Sequence, residues 1–406
     1  MKIIKENHQG VSTILAFALI PLSGFATDIY IPSLPSMASD LQVSTSAVQL
    51  SLVLFFISSG ISQLFIGSLL DSFGRFKISI AALAVFSIAS FSIAVFPGIH
   101  VMYAMRIVQG ITISLIVVGK RAYFVDIYSG EKLKHYTSLF VIIWATAPIL
   151  APFLGGYLQT IFGWQSSFYF LGILSLLFLV LELVYSGESL KHFQPFRGKA
   201  ILEVYGNMLR TRDFATGLMV IGSCYGLVVM YGMASPFIIE RVFKLSPVTT
   251  GYSSLLSGLS VMAGGIIAKA FLKKPFTKKI TTAIIGMVIF TILMISTSIF
   301  NANIYTLIGF TICIHTCGGF VFNNVYSYCL TRFSTNAGTA SGLTGGGMYI
   351  VSSLFSYGLV NAYTIKTQAL LGVANLSVIV LIIIILLLFN RFRKAGLAKK
   401  VVLAGG

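Results

Sequence analysis

The sequence predicts an all-α membrane protein of about twelve transmembrane helices in two pseudo-symmetric six-helix bundles. Three observations carry this. Of 406 residues, 56% are hydrophobic and only 10% charged, whereas soluble domains carry roughly 25% charged residues. So little charge cannot coat a water-soluble surface of this size. Apolar stretches of about 20 residues, the length that crosses bilayer hydrocarbon, recur along the whole chain. Lys and Arg collect in alternate loops, as the positive-inside rule requires of a multi-pass chain.

The first group of apolar stretches covers 11–32, 46–69, 78–97, 101–124, 135–158 and 166–186. A polar segment, 187–213, follows, and a second group covers 214–238, 249–272, 279–299, 303–328, 337–361 and 369–390. The expected organisation is an N-terminal bundle over 1–186, a basic cytoplasmic linker over 187–213 and a C-terminal bundle over 214–406. Met1–Gly10 is too polar and short for a separate signal peptide, so the first apolar run is expected to stay as the first helix.

With the N-terminus placed in the cytoplasm, the inner loops hold Lys2, Lys5, Arg75, Lys77, Lys132, Lys134, Lys273, Lys274 and Arg391, among others. The outer loops hold only Arg241, Lys244 and Lys366. Both termini are therefore expected to be cytoplasmic. The net charge of +17 reads as topology rather than as a nucleic-acid footprint, and the basic loops suit anionic lipid headgroups. The four cysteines lie in or beside apolar segments with no metal-ligand spacing, so packed thiols and no metal are expected. No Walker motif is present, and the Gly342, Gly345, Gly346, Gly347 cluster lacks the Lys-Ser/Thr ending of a phosphate loop. No catalytic constellation suggests an enzyme, and no organic cofactor is implied.

Several motifs sit at telling positions. Gly67-Ser-Leu-Leu-Asp71-Ser-Phe-Gly74-Arg75 joins the second and third spans, where glycines allow a tight turn and the aspartate and arginine can cluster with Asp126 at the end of the fourth span. The fourth span carries Arg106-Ile-Val-Gln109-Gly110. A membrane arginine is costly unless it faces the bundle interior and finds a partner, and Asp28 in the first span is the expected one. Burial and a neighbouring cation act in opposite senses on an aspartate's protonation, which is what proton coupling needs; an inert ion pair is the competing reading. The fifth span carries Pro148, Pro152, Gly155 and Gly156, small or bending residues that suit close helix approach.

Two groups of six spans around a basic linker, together with these motifs, resemble the major facilitator superfamily. The loop is similar to its G-x-x-x-D-R-x-G-R-R signature, with Ser72 and Phe76 in place of basic residues, and the fifth span to its G-P-x-x-G-G antiporter motif, with Ala151 in place of a glycine. Thr27-Asp28-Ile-Tyr30-Ile-Pro32-Ser-Leu-Pro35, Lys120-Arg121-Ala122, Phe162-Gly163-Trp164 and Ser235-Pro236-Phe237 look like the bicyclomycin/chloramphenicol-resistance subfamily of drug/proton antiporters. Val125, Gln165 and Asn323 depart from that pattern and leave the substrate open.

The resemblance implies a major facilitator fold in a bacterial inner membrane, functioning as a monomer and exporting drugs by alternating access with a proton as coupling ion. Asp28 and Arg106 would couple the proton. Gly67, Asp71, Gly74, Arg75, Asp126, Pro148, Pro152, Gly155 and Gly156 would serve gating. The first, fourth, seventh and tenth spans line the cavity in this family, which marks Tyr30, Arg106, Arg121, Tyr225, Tyr231, His315, Asn323 and Asn324 as substrate-binding candidates. Lys120, Arg121, Arg106 and His315, if they face the cavity, also suit a polar metabolite such as a carboxylate siderophore, exported or taken up, which stays as the alternative. Glu182, near the inner end of the sixth span, reads as an interfacial residue, and Asn323 and Asn324 as possible bridges between helices.

Overall fold

The computed structural model describes residues 2, 4–196, 198–333 and 337–404. The first span runs over Glu6–Asp40, well past the expected 11–32. It is broken into α1 (Gln9–Leu19), α2 (Leu22–Asp28), a 3-10 turn (Ile31–Ser33) and α3 (Leu34–Asp40). Proline explains both the breaks and the restart. Pro21 precedes α2, while Pro32 and Pro35 sit in first turns, where a missing N–H costs nothing.

The next spans are α4 (Thr45–Phe73), α5 (Arg75–Val95), α6 (Ile99–Ile127), α7 (Gly130–Phe162) and α8 (Gln165–Tyr185). Ser44 caps α4 by accepting from the Ala47 amide at 3.2 Å. Gly74 and Gly163, with φ of +90° and +79°, end α4 and α7 in a conformation that costs glycine little. Within 187–213 lies a further helix, α9 (Gly198–Arg210). Its apolar residues Ile201, Val204, Tyr205 and Met208 are spaced by helical turns rather than run together, so it escapes a search for long apolar runs.

The remaining helices are α10 (Arg212–Phe237), α11 (Pro247–Ala270), α12 (Phe276–Asn301), α13 (Ile304–Arg332), α14 (Ala337–Tyr363) and α15 (Gln368–Ala404). Five residues of π-helix, Ile238–Val242, extend α10. Asn303 and Thr306 cap α13 reciprocally. Eleven stretches among the described residues are long and apolar enough to span a membrane. The expected span at 135–158 lies within the 33-residue α7, which agrees with about twelve.

The helices form two compact units, Met1–Gly198 with Ser235–Gly258, and Lys199–Ala234 with Leu259–Gly406. Small residues set the packing inside each, because apolar lipid offers no hydrophobic drive and close backbone approach replaces it. In the first unit Gly110 of α6 lies against Phe55, Ser58 and Ser59 of α4, and Ser59 and Ser114 join at 2.7 Å. Gly172 of α8 faces the Phe91 ring of α5. A Cβ on Gly155 of α7 would strike the Ile29 carbonyl, and one on Gly251 of α11 would come 2.7 Å from the Pro152 carbonyl. In the second unit Gly264 of α11 and Gly319 of α13 let those two backbones meet.

Candidate functional site

Three polar centres stand out, two of them in the first unit. The deepest is Arg106. Its side chain is fully buried, and Nη1 donates to the Ala26 carbonyl at 2.8 Å and to Gln109 Oε1 at 2.9 Å. Gln109 Nε2 in turn donates to Ser90 Oγ at 2.8 Å, tying α6 to α5. The guanidinium lies over the rings of Tyr30 (4.6 Å) and Phe55 (4.2 Å), a desolvated cation–π arrangement. Tyr30 is itself anchored, its hydroxyl 3.0 Å from Ser51 Oγ and its ring packed on Phe168 at 5.3 Å.

Asp28, at the end of α2, lies close enough for its charge to act on Arg106. The direct ion pair expected between them does not form: the described ion pairs do not include it. Instead, the backbone bend at the broken first span offers Nη1 a carbonyl, Gln109 offers it an amide oxygen, and two aromatic faces lie against the cation. The guanidinium Nε and Nη2 are buried without hydrogen-bond partners among the described residues. A fixed cation thus stands beside a carboxylate that no salt bridge holds.

The second centre is the loop between α4 and α5. Arg75 pairs with Asp71 at 3.0 Å and with Asp126 at 2.6 Å, the three-residue cluster expected from the motif. Gly67 lies inside α4 with open space around it, so the tight turn expected of it belongs to Gly74 alone. Sequence reasoning missed Glu188. Its carboxylate accepts from the amides of Arg75 (3.0 Å) and Phe76 (3.1 Å), first-turn amides of α5 that have no partner within the helix, and from Leu190 N at 3.0 Å. Ser189 donates to Asp126 at 2.8 Å. The segment after α8 therefore folds back onto the motif. No local pattern announces this, because Glu188 lies 113 residues from the amide it caps.

A further pair corrects an expectation. Glu182 is not interfacial: it is fully buried and bonded at 2.5 Å to Lys120, whose side chain is 8% exposed. Lys120 turns to α8 and away from water. Neighbouring Arg121 is half-buried, with its Nε lacking a partner among the described residues.

The third centre is in the second unit. His315 is buried and sits edge-on to Tyr231 at 5.5 Å. Tyr225 packs near Phe322 (6.4 Å) and Tyr349 (6.0 Å), forming an aromatic wall with Tyr326 stacked on Phe322. Asn323 and Asn324 do not bridge helices through their amide nitrogens; these donate to Gly319 and Phe320 carbonyls one turn back, both at 2.8 Å. Asp213 at the start of α10 accepts from Tyr328 (2.7 Å) and Arg332 (2.8 Å) of α13, another pairing the sequence did not announce.

Comparison with known proteins places the chain in a class. The profile of the Major Facilitator Superfamily matches residues 16–356, and the chain belongs to that family. Among its relatives, the "Uncharacterized MFS-type transporter YdgK" of Bacillus subtilis (strain 168) is 28% identical over 78% of this chain and 80% of its own. The "Multidrug resistance protein MdtL" of Vibrio parahaemolyticus is 26% identical over 91% of each chain. The "Bicyclomycin resistance protein homolog" of Haemophilus influenzae is 24% identical over 66% of this chain and 68% of its own. In fold, the crystal structure of a D-xylose-proton symporter superposes with a TM-score of 0.71 at 15% identity, covering 91% of this chain and 96% of that one. The expected major facilitator fold and the resemblance to drug antiporters are borne out. The protein is a multi-pass membrane transporter and not an enzyme.

Proposed function

We propose that the protein is a proton-coupled secondary exporter of drugs or small amphipathic compounds, working by alternating access as a monomer in a bacterial inner membrane with both termini cytoplasmic. The observation that carries the proton is the buried Arg106 held by neutral groups beside an Asp28 that forms no salt bridge among the described residues. Such a carboxylate gains or loses a proton without first breaking an ion pair, and the fixed positive charge senses the change. Protonation from the outer side would relax the local field around Arg106, and release to the inner side would restore it. Names of the relatives support drugs as cargo. The aromatic wall of Tyr225, Phe322 and Tyr349 offers apolar contact of the kind such compounds need.

The Arg75 cluster is the proposed inner latch, closed here by Asp71, Asp126 and the Glu188 cap. Pro148, Pro152, Gly155 and Gly156 give α7 the pliability and close contacts that gating requires.

Proteoliposomes under an imposed pH gradient test this reading, with ethidium and chloramphenicol as probes and a trapped pH dye as the second readout. Movement of either probe against opposite proton flow is expected. Coupled movement of citrate alone, a stand-in for carboxylate metabolites, would replace the drug assignment while keeping the coupling site.

A further inference from the structure

The chain has eleven acidic residues, and the structure accounts for nearly all of them. Asp71 and Asp126 share Arg75, while Glu131, Glu182 and Asp213 pair with Lys134, Lys120 and Arg332. Glu188 caps α5, Asp40 accepts from Trp164 Nε1 at 3.0 Å, and Glu6 and Glu203 are exposed. That leaves Asp28 and Glu240, both within membrane spans and both in the first unit.

Their surroundings share one feature. Each has an arginine nearby with which it forms no ion pair among the described residues, Arg106 being buried and Arg241 exposed. Arg106 is held by the Ala26 carbonyl and the rings of Tyr30 and Phe55. Arg241 reaches the Pro35 carbonyl at 3.4 Å and the Phe237 ring at 5.1 Å, and it is the charged group that bears on Glu240. Lys244, on the loop beyond, is exposed. From α11, among the described residues, Glu240 receives the Thr250 hydroxyl, which donates to Oε1 at 3.2 Å and is itself buried. A hydroxyl donates to a carboxylate and accepts from a carboxylic acid, so this partner serves both protonation states. The backbone is also unusual. Glu240 sits in the π-helical stretch after Pro236, with Phe243 N bonded to the Ile238 carbonyl at 3.0 Å, a bulge of the kind that recurs at functional sites.

We propose that Glu240 is a second proton carrier of the transport cycle, acting in the same unit as Asp28. The inference rests on the proton-coupled reading above and adds to it a second site. In the proposed orientation Glu240 lies at the outer end of its span. It takes a proton from outer water, forming an O–H bond on a carboxylate oxygen, and that bond breaks when the proton passes on to inner water later in the cycle, with no co-reactant.

Infrared difference spectra of the full-length protein in lipid, between about pH 5 and about pH 9, decide this without any transported compound. The wild type is expected to show two protonated-carboxyl components, one lost in Glu240→Gln and the other in Asp28→Asn. Protein carrying isotope-labelled glutamate carboxyls needs no substitution, and one component should then shift. A spectrum unchanged by the label, or by Glu240→Gln, overturns the proposal. In proteoliposomes, Glu240→Gln should move about half as many protons per ethidium as the wild type, and an equal ratio also overturns it. Absence of any coupled transport in the wild type would defeat the proton-coupled reading, whereas the infrared result still stands or falls on Glu240 itself.

Discussion

Arg106 keeps a full positive charge inside a membrane protein by spreading it over a carbonyl, an amide and two aromatic faces. A lysine cannot reproduce that, being a compact point charge where Arg is a planar fork that stacks. Arg106→Lys should therefore lose coupled ethidium transport in everted vesicles despite conserving charge. Asp28→Asn should abolish uphill transport with expression and detergent stability intact; undiminished uphill export by that variant would remove Asp28 from the coupling. At this scale the sequence was a good guide to which residues matter and a poor one to how they meet. Asp28 and Arg106 are legible as rare intramembrane charges, but the choice of Ala26, Gln109 and two rings over the carboxylate depends on where the broken first span places its backbone.

Elements are held at their ends by groups distant in the chain. Glu188 satisfies two opening amides of α5, so Glu188→Ala should cost about 1–2 kcal/mol, as loss of a helix cap does. Thermal unfolding in detergent would show it, and inner-latch function should weaken in parallel. The Lys120–Glu182 pair makes a sharper prediction. Glu182→Leu alone strands a buried ammonium and should cost about 3–5 kcal/mol, while the double change Lys120→Met with Glu182→Leu should be nearly neutral or stabilising. If the double variant is as unstable as the single one, the pair has a structural role beyond charge compensation. Neither interaction is visible in a local pattern. Lys120 and Glu182 are 62 residues apart, and an acidic residue near a span's end looks interfacial until the facing helix is known. Helix α9 was missed for a different reason, its apolar residues being periodic rather than contiguous.

For the whole molecule, the glycines divide into those that permit packing and those that do not. Gly155→Val would drive a side chain into the Ile29 carbonyl and should lower the yield of monodisperse protein, whereas Gly67→Ala, with nothing near it, should be tolerated. Size-exclusion profiles of fluorescent fusions compare the two directly. Topology has its own test. Single cysteines at Lys244 and Lys366 should react with a membrane-impermeant maleimide in intact cells, and cysteines at Lys134 and Lys273 only after permeabilisation. The reverse pattern would invert the orientation drawn from the basic loops.

Spans and their approximate number follow from the sequence by itself, because hydrocarbon thickness and the cost of unpaired backbone groups act on each segment independently of its neighbours; the ends do not always follow, as the first span shows by running to Asp40. The family motifs are equally local, being turns and charges at fixed spacing, and so the fold and the Arg75 cluster were readable in advance. Only the tertiary structure decided which buried charges pair. It set a glutamate cap beside the Arg75 cluster, gave Lys120 to Glu182, and left Asp28 and Glu240 without salt bridges among the described residues. Pairing depends on distances of a few ångströms between helices far apart in the chain, and at that range desolvation and competing hydrogen bonds outweigh any preference a sequence motif can express.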